Sequence, residues 1–415
     1  MSSDVVEKSS KSVDTFDSAW LQDCLPIYYR KYFPFGPFFR WLNYGGIKGS
    51  GFNKREFSFT LIGDIYIRFQ SFKDGPSLEK EIIAKSPIKI DIGALYTHDP
   101  RNRHTIHPAA SFRPVQRELV FDIDMTDYDE VRYCCQGAQV CENCWILMDI
   151  AVKIIQKALA DDFGYEHILW VFSGRRGIHA WVCDESARTL TASQRSAVAE
   201  YLVLLKGGTD VGRRVNLNDN RIHSSVRRAI NIIDEHFFKY LSKHDIFGNE
   251  ERVQKFLKLI PDIIRDEVEK SIADLETAKD KWRAFQATVK TFCRKNSQKS
   301  WQISMLAEEI QLHFCYPRID IAVSKGLNHL LKAPFCVHPK TGKICVPFTA
   351  DNMIDPNNVP TLNSLIEELD NVPASKKPYR HSSMKDSINV FDEFLKKLER
   401  SRTGRDMENL SLDDW

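Results

Sequence analysis

No stretch of this chain is apolar for long enough to span a bilayer, and its opening residues, MSSDVVEKSSKSVD, lack the apolar centre of a secretory signal. Both absences lead us to expect a soluble, intracellular protein. Net charge is scarce too: 58 Lys and Arg stand against 56 Asp and Glu, leaving +2. No global basic field therefore draws in nucleic acid, and any such surface must be local. The glycine-lysine-serine/threonine ending of a Walker loop is missing. Without a secretory signal, the ten cysteines read as reduced thiols or metal ligands rather than a disulfide framework. No internal repeat is visible. What is present is a 415-residue chain, 43% hydrophobic and 11% aromatic. That suffices for one large domain with an insertion, or for two domains.

Along the chain, sheet and helix patterns alternate. Residues 1–15 are polar and expected to be disordered. FDSAWLQDCLPIYYRKYFP has helical spacing, with Pro34 and Pro37 expected to end the segment. EFSFTLIGDIYIRFQSF alternates on both sides of Gly63-Asp64, as a hairpin does. IKIDIGALYT is another strand, followed by a Pro- and His-rich loop near 98–114. A strand in ELVFDIDM precedes a cysteine-rich loop and the helix WILMDIAVKIIQKALADDFG, which Gly164 closes. HILWVFSGRRGIHAWVCD reads as strand, glycine-bounded loop, strand. From about 190 to 315 the pattern is helical and polar. It holds the basic run KGGTDVGRRVNLNDNRIHSSVRRAIN and an amphipathic segment with Ile263, Ile264, Val268, Ile272 and Leu275 on one face. Strand character returns at RIDIAVSKG, and PASKKPYRHSSMKDS reads as a linker before a last helix, INVFDEFLKKLERSR. The expected organisation is an α/β (α+β) domain from 16–204 and 301–371, a helical insertion at 205–300, and a linker, helix and tail at 372–415.

Within ELVFDIDMTDYD, Leu119, Phe121, Ile123 and Met125 share one strand face, and Val120, Asp122 and Asp124 share the other. Two carboxylates on one face, about 7 Å apart at their Cα atoms, repel each other and are costly among apolar neighbours. A hydrated strand end tolerates them; so does a divalent metal, which needs hard oxygen ligands. Asp320, in YPRIDIAVSKG, repeats the pattern of an acid between apolar strand residues. Three such acids on adjacent strands could hold two Mg²⁺ or Mn²⁺ ions about 3.5–4 Å apart, the geometry of in-line displacement at phosphorus. An ion pair between Asp320 and Arg318 is the plain alternative.

In SGRRGIH, Gly174 and Gly177 bound a tight turn that permits close backbone approach to an anion. Arg175 and Arg176 offer forked donors suited to phosphate, Ser173 offers a hydroxyl, and His179 follows on the next strand. A solvated basic hairpin would carry the same residues. NHLLKAPFCVHPKTG sets Asn328, His329, Lys332 and His338 among apolar residues; by itself it reads as a solvated loop. CCQGAQVCENC places Cys134, Cys135, Cys141 and Cys144 close together, and its C-x2-C half is a zinc bite. Four thiolates would close a tetrahedral, structural site, with a redox dithiol or a loop of reduced cysteines as competing readings. Cys24, Cys183, Cys293, Cys315, Cys336 and Cys345 are dispersed and read as small buried residues.

These elements, together with YYRKYFPFGPFFRWLNYGG and REFSFTLIGDIYIRFQSF, occur in one order along the chain. In that order they resemble the small catalytic subunit of the archaeal and eukaryotic DNA primases, in its eukaryotic form. The likeness covers most of 20–200 and 300–350; between about 205 and 300 it is one of kind more than of letters. It implies a primase catalytic fold, with mixed β-sheets flanked by helices, a zinc-bearing loop and a helical insertion. It implies template-directed synthesis of short RNA primers from ribonucleoside triphosphates for DNA replication. By matching motifs, Asp122, Asp124 and Asp320 would bind two Mg²⁺ or Mn²⁺ ions, and the four loop cysteines one Zn²⁺. Ser173, Gly174, Arg175, Arg176, Gly177 and His179 would hold the triphosphate. Asn328, His329, Lys332 and His338 would complete the nucleotide site, and Glu56, Arg68, Lys89 and Asp91 match positions near it. The implied partners are single-stranded DNA template, RNA primer, a large subunit with an iron–sulfur cluster, and the catalytic and accessory subunits of DNA polymerase α. No membrane is involved, and the implied compartment is the nucleus. No cluster-type cysteine set appears beyond the zinc loop. Two other classes share parts of the constellation: a two-metal nuclease, which has no need of the arginine cradle, and a non-catalytic zinc-and-basic-patch subunit, which would tolerate loss of Asp122.

Overall fold

Two helices, α1 (Ser18–Lys31) and α2 (Phe35–Asn43), come first in the computed structural model, which describes residues 17–44, 51–204, 215, 217, 222–296, 303–371 and 377–412. The polar segment 1–15, most of the basic run and part of the linker before the last helix lie outside these residues. Asp17 caps α1, its carboxylate accepting from the Ala19 amide at 2.9 Å. Helix α1 ends at Lys31, three residues before Pro34, as expected, but Pro37 ends no helix. Helix α2 begins directly after Pro34 and carries Pro37 in its first turn, where a missing N–H leaves no helical bond unmade.

Strands β1 (Arg55–Thr60) and β2 (Tyr66–Gln70) form the expected hairpin; α3 (Gly75–Lys85) leads to β3 (Lys89–Tyr96), and a long loop to β4 (Pro114–Gln116). Then follow β5 (Leu119–Asp124), α4 (Glu142–Phe163), β6 (Ile168–Phe172), β7 (Gly177–Val182), α5 (Glu185–Arg188) and α6 (Ala192–Leu202). One sheet runs β2-β1-β3-β4, and the second begins β5-β7-β6. The β5–β7 register sets Asp122 opposite His179 and Asp124 opposite Gly177. On the other face, Leu119, Phe121 and Ile123 are buried against the core, as the two-residue period requires.

A helical excursion occupies α7 (Ser224–His244), α8 (Glu250–Leu257), α9 (Asp262–Ile272), α10 (Ala278–Lys295) and α11 (Leu306–Cys315). In α9 the buried stripe is Ile264, Val268 and Ile272, while Ile263 is exposed. Steps of four residues stay on one helical face and a step of one does not, so the five-residue face expected there is narrower. Where the excursion closes, the Tyr316 hydroxyl donates to the Leu202 carbonyl at 3.0 Å.

RIDIAVSKG is not a strand. It forms the short helix α12 (Ile321–Lys325), and Asp320 is its N-cap, accepting from the Ala322 amide at 3.0 Å. A run this short fits either period, and the capping bond favours the helix. Helix α12 lies along β5: the Asp320 amide donates to the Asp122 carbonyl at 3.0 Å and Ser324 Oγ to the Val120 carbonyl at 2.7 Å. Strand β8 (Leu331–Lys332) joins the first sheet beside β3, and β9 (Pro347–Phe348) the second beside β6. All the described strand pairings are antiparallel, in an α+β arrangement with helices against both sheets. After α13 (Leu362–Glu367), the last helix α14 (Lys385–Leu412) returns to the beginning of the chain. Phe391 there packs on Trp41 and Phe335, and Glu399 pairs with Arg40 at 2.7 Å. Of the six dispersed cysteines, five are buried as expected and Cys293 is half-buried.

Candidate active site

The acid pair and the glycine turn meet because β5 and β7 are neighbours. Asp122 Oδ1 lies 3.6 Å from His179 Nε2. Asp124 is more fully engaged: Oδ1 accepts from the Thr126 amide at 2.9 Å and its hydroxyl at 2.8 Å, and Oδ2 accepts from Arg176 Nε at 2.8 Å. The turn is tied by the Gly177 amide, which donates to Ser173 Oγ at 3.0 Å. Both glycines are required by protein neighbours. Gly174 has φ +87°, and a Cβ there would lie 2.6 Å from the Cβ of His338; one on Gly177 would lie 2.6 Å from the Ile123 carbonyl oxygen. The room the glycines leave is filled by His338 and the β5 backbone, not held open for an anion.

Residues from the first sheet and the late loop form the opposite wall. Lys332 Nζ donates to the Ser173 carbonyl at 3.1 Å, and Thr341 Oγ1 to the Gly174 carbonyl at 2.7 Å. The result is a cleft of about 310 Å³ lined by Lys89, Asp122, Asp124, Ser173, Arg175, Arg176, His179, His329, Lys332 and His338 with Val323, Leu330 and Leu331. Asp320 sits at its exposed rim, joined to Asp122 through the backbone. Lys89 pairs with Asp91 at 3.0 Å, and Asp91 lies opposite Lys332 in the β3–β8 register. Glu56 is fully buried, accepting from Arg68 Nε at 2.7 Å and the Tyr96 hydroxyl at 2.9 Å. Arg68 also donates to the Asn328 carbonyl at 2.9 Å, which links this pair to the cleft wall. Every residue expected at the nucleotide and catalytic-metal site is thus in the cleft, on its rim or joined to its wall.

Electrostatics distinguishes the two strand acids. Burial, then the nearby Asp124 and Asp320, push the Asp122 carboxyl up to about 7. Burial also acts to raise Asp124, but hydrogen bonds from Arg176 and Thr126 outweigh it and hold that carboxyl below its ordinary value. Burial, with Lys332 and Lys89 adding, pushes the His179 ring down to about 3. The ring is therefore neutral near pH 7, and its buried Nδ1 has no partner among the described residues. An acid destabilised by its neighbours, beside an unpartnered ring nitrogen and the cations Lys89, Arg175, Arg176 and Lys332, suits a divalent cation with a polyanion.

At the cysteine corner, one Sγ from each of Cys134, Cys135, Cys141 and Cys144 lies within 4.8 Å of the others. Cys141 Sγ and Cys144 Sγ are 4.0 Å apart; a tetrahedral thiolate site with bonds of about 2.3 Å needs roughly 3.8 Å. The Cys134 thiol, the Cys141 backbone and Arg132 hold the Cys144 thiol down at about 5 against the effect of burial. The donor set fits a closed metal site.

Sequence reasoning misses Thr126, Tyr96 and Thr341. The D-x-T spacing of Asp124 and Thr126 is a readable turn signal; the other two contacts join distant segments and leave no local mark.

A like-charged acid pair facing a cationic wall, in a cleft open to solvent, belongs to the nucleotidyltransferase class. The family model for the DNA primase small subunit matches residues 121–350. The chain is 43% identical to the DNA primase small subunit of Drosophila melanogaster, over 97% of each chain. It is 42% identical to that of Schizosaccharomyces pombe, covering 83% of this chain and 77% of the relative, and 32% identical to that of Saccharomyces cerevisiae, covering 92% of each. The chain belongs to the DNA primase small-subunit family. It is accordingly an enzyme, a catalytic subunit that makes primers for replication.

Proposed function

We propose that the cleft between the two sheets joins ribonucleotides into RNA primers on a single-stranded DNA template. The observation that carries this reading is the β5–β7 register, which opens Asp122 and Asp124 into the same cleft as the SGRRGIH turn. Asp122, Asp124 and Asp320 would hold two Mg²⁺ or Mn²⁺ ions. When bound, such ions supply activation of a 3′-hydroxyl and charge stabilisation at the departing pyrophosphate. Arg175, Arg176, His179, Lys332 and His338 bind the triphosphate and hold it in line. Ser173, Gly174 and Gly177 shape the turn that carries them. His179, neutral at rest, enters as a hydrogen-bond donor. Arg176 is bonded to Asp124 and lies in the same cleft, where its guanidinium would also meet the phosphates. Lys89, Arg68, Asn328 and His329 line the way to the sugar and base, with the buried Glu56 and Asp91 pairing with Arg68 and Lys89.

The cysteine corner holds one structural Zn²⁺ in this reading, serving the fold and not the chemistry. The partners are a large subunit with an iron–sulfur cluster and the subunits of DNA polymerase α, in the nucleus. No helix among the described residues is long and apolar enough to cross a membrane.

The test is primer synthesis by the purified chain on a single-stranded pyrimidine template with Mg²⁺ or Mn²⁺. Asp122→Ala, Asp124→Ala and Asp320→Ala should each lower dinucleotide formation and extension by about a thousandfold. Near-normal synthesis by a folded variant removes that residue from the site. Cleavage of the template with no need for nucleoside triphosphate would make the cleft a nuclease.

A further inference from the structure

The loop between β3 and β4 takes no part in the cleft, yet it presents an exposed basic surface near it. Residues 98–113 hold Arg101, Arg103, Arg113 and three histidines against a single acid, Asp99. Asp99 is used internally: it caps the first turn of the loop and pairs with Arg101 at 2.9 Å. Arg103, Arg113, His104 and His107 have no acidic partner among the described residues, and all but the half-buried Arg103 are exposed. The loop is held in shape. Thr97 Oγ1 donates to the Ser111 carbonyl at 2.5 Å, and Phe112 stacks on Tyr96 with centroids 4.4 Å apart.

An aromatic bridge joins this loop to the nucleotide site. Phe69, on β2, packs edge-on against Tyr96 and Phe112. Two guanidinium groups flank its ring: Arg103 at 4.3 Å and Arg68 at 4.8 Å from the centroid. Arg68 is the residue bonded to Glu56 and to the Asn328 carbonyl at the cleft wall. Phe69 has φ +60°, a conformation costly for an aromatic residue and kept only where its surroundings enforce it. Contacts therefore link the Asn328 carbonyl at the cleft wall through Arg68 and Phe69 to Arg103. With the triphosphate on the SGRRGIH side, as proposed above, the base and the strand that pairs with it would lie towards Arg68 and Arg103.

We propose that loop 98–113 grips the single-stranded template through its phosphodiester backbone as the template enters the nucleotide site, with Arg103 and Arg113 as the principal contacts. Cations interleaved with aromatic rings are the usual means of holding a single strand without reading its sequence. A chain with a net charge of only +2 needs such a local grip. The proposal rests on the nucleotide orientation proposed above for the cleft.

Fluorescence anisotropy of a labelled oligopyrimidine, titrated with the full chain at several salt concentrations, tests it. Arg103→Glu with Arg113→Glu should weaken binding about tenfold or more, and should reduce the log–log salt slope by about 1.4, since each single-strand phosphate contact contributes about 0.7. Binding of a fluorescent ribonucleoside triphosphate should stay within about twofold. The double Arg→Lys variant should keep most of the affinity, because a phosphate contact needs charge more than a fork. Arg113→Glu alone, which disturbs no ring contact, should give about half of the slope change. Unchanged affinity and slope in a folded double-reversal variant overturn the proposal, as does an equal loss of nucleotide binding. A loss confined to RNA-primed template assigns the loop to the primer strand and also overturns it. If this binding pattern holds while the wild-type chain makes no primer, the reading of the cleft fails, and with it the path of the template into the site, while the loop remains a single-strand grip.

Discussion

The two ends of β5 treat a buried acid in opposite ways. Just before the strand, Glu118 is fully buried and meets Arg55 through two bonds of 2.7 and 2.9 Å, with the Tyr44 hydroxyl donating as well. Burial alone would raise its pKa, but the Arg55 charge and hydrogen bonds bring it down to about 2. Four residues on, Asp122 is half-buried, and burial together with the charges of Asp124 and Asp320 pushes its pKa up to about 7. At Glu118, a buried acid whose counter-charge is built into the chain serves as scaffold. One whose counter-charge must arrive from outside marks the place where a ligand binds.

The contrast is sharpest in a stability measurement. Glu118→Ala leaves Arg55 as a buried, unpaired cation and should cost about 3–5 kcal/mol, read from the urea midpoint, whereas Asp122→Ala should leave that midpoint unchanged or slightly raised. Comparable losses in both would break the distinction. Acid unfolding should agree in sign. Because the folded-state pKa of Glu118 is depressed, its contribution is fully present above about 4.5 and is lost as pH falls from there towards about 2. Glu118→Gln should remove that part of the pH dependence. A smaller effect is expected at the other end of the strand. Arg175→Ala, Arg176→Ala and His179→Ala should each reduce nucleotide incorporation about a hundredfold, in initiation and extension alike, with Arg→Lys restoring only part. Equal loss of template binding would make the turn a general basic patch. The smallest effect is at the cysteine corner. Cys141→Ser should lower the melting midpoint by several degrees, about 2 kcal/mol, while surviving folded protein keeps activity within about threefold. Active protein that contains no zinc by metal analysis would overturn that assignment.

How much of this is legible in the sequence depends on how local each feature is. The alternation in FDID by itself puts two acids on one face, and the β5 ladder has that pattern. The cysteine corner is legible for the same reason, since its four ligands lie within a single loop and helix start. Asp320 has the sequence setting of a strand residue and sits instead on a helix cap, because RIDIAVS is too short for its period to decide. Pro37 has the look of a helix stop, since only the position of the helix start shows that a proline lies in the first turn. The Arg55–Glu118 pair leaves no mark at all. Its partners are 63 residues apart, and only the folded sheet brings them together.

The hydrogen bond between Tyr316 and Leu202 has a consequence for how this protein can change over time. The chain leaves the sheets and rejoins them at adjoining points, yet the described helices between these points pack back on the catalytic part: α7 lies against α4, and the Tyr240 hydroxyl donates to the Val131 carbonyl. Loop closure depends only weakly on length, so a longer connection between these helices costs little, whereas trimming α7 would strip α4 of its cover. An engineer could therefore splice a foreign domain into a connection between these helices, but could not excise α7 itself.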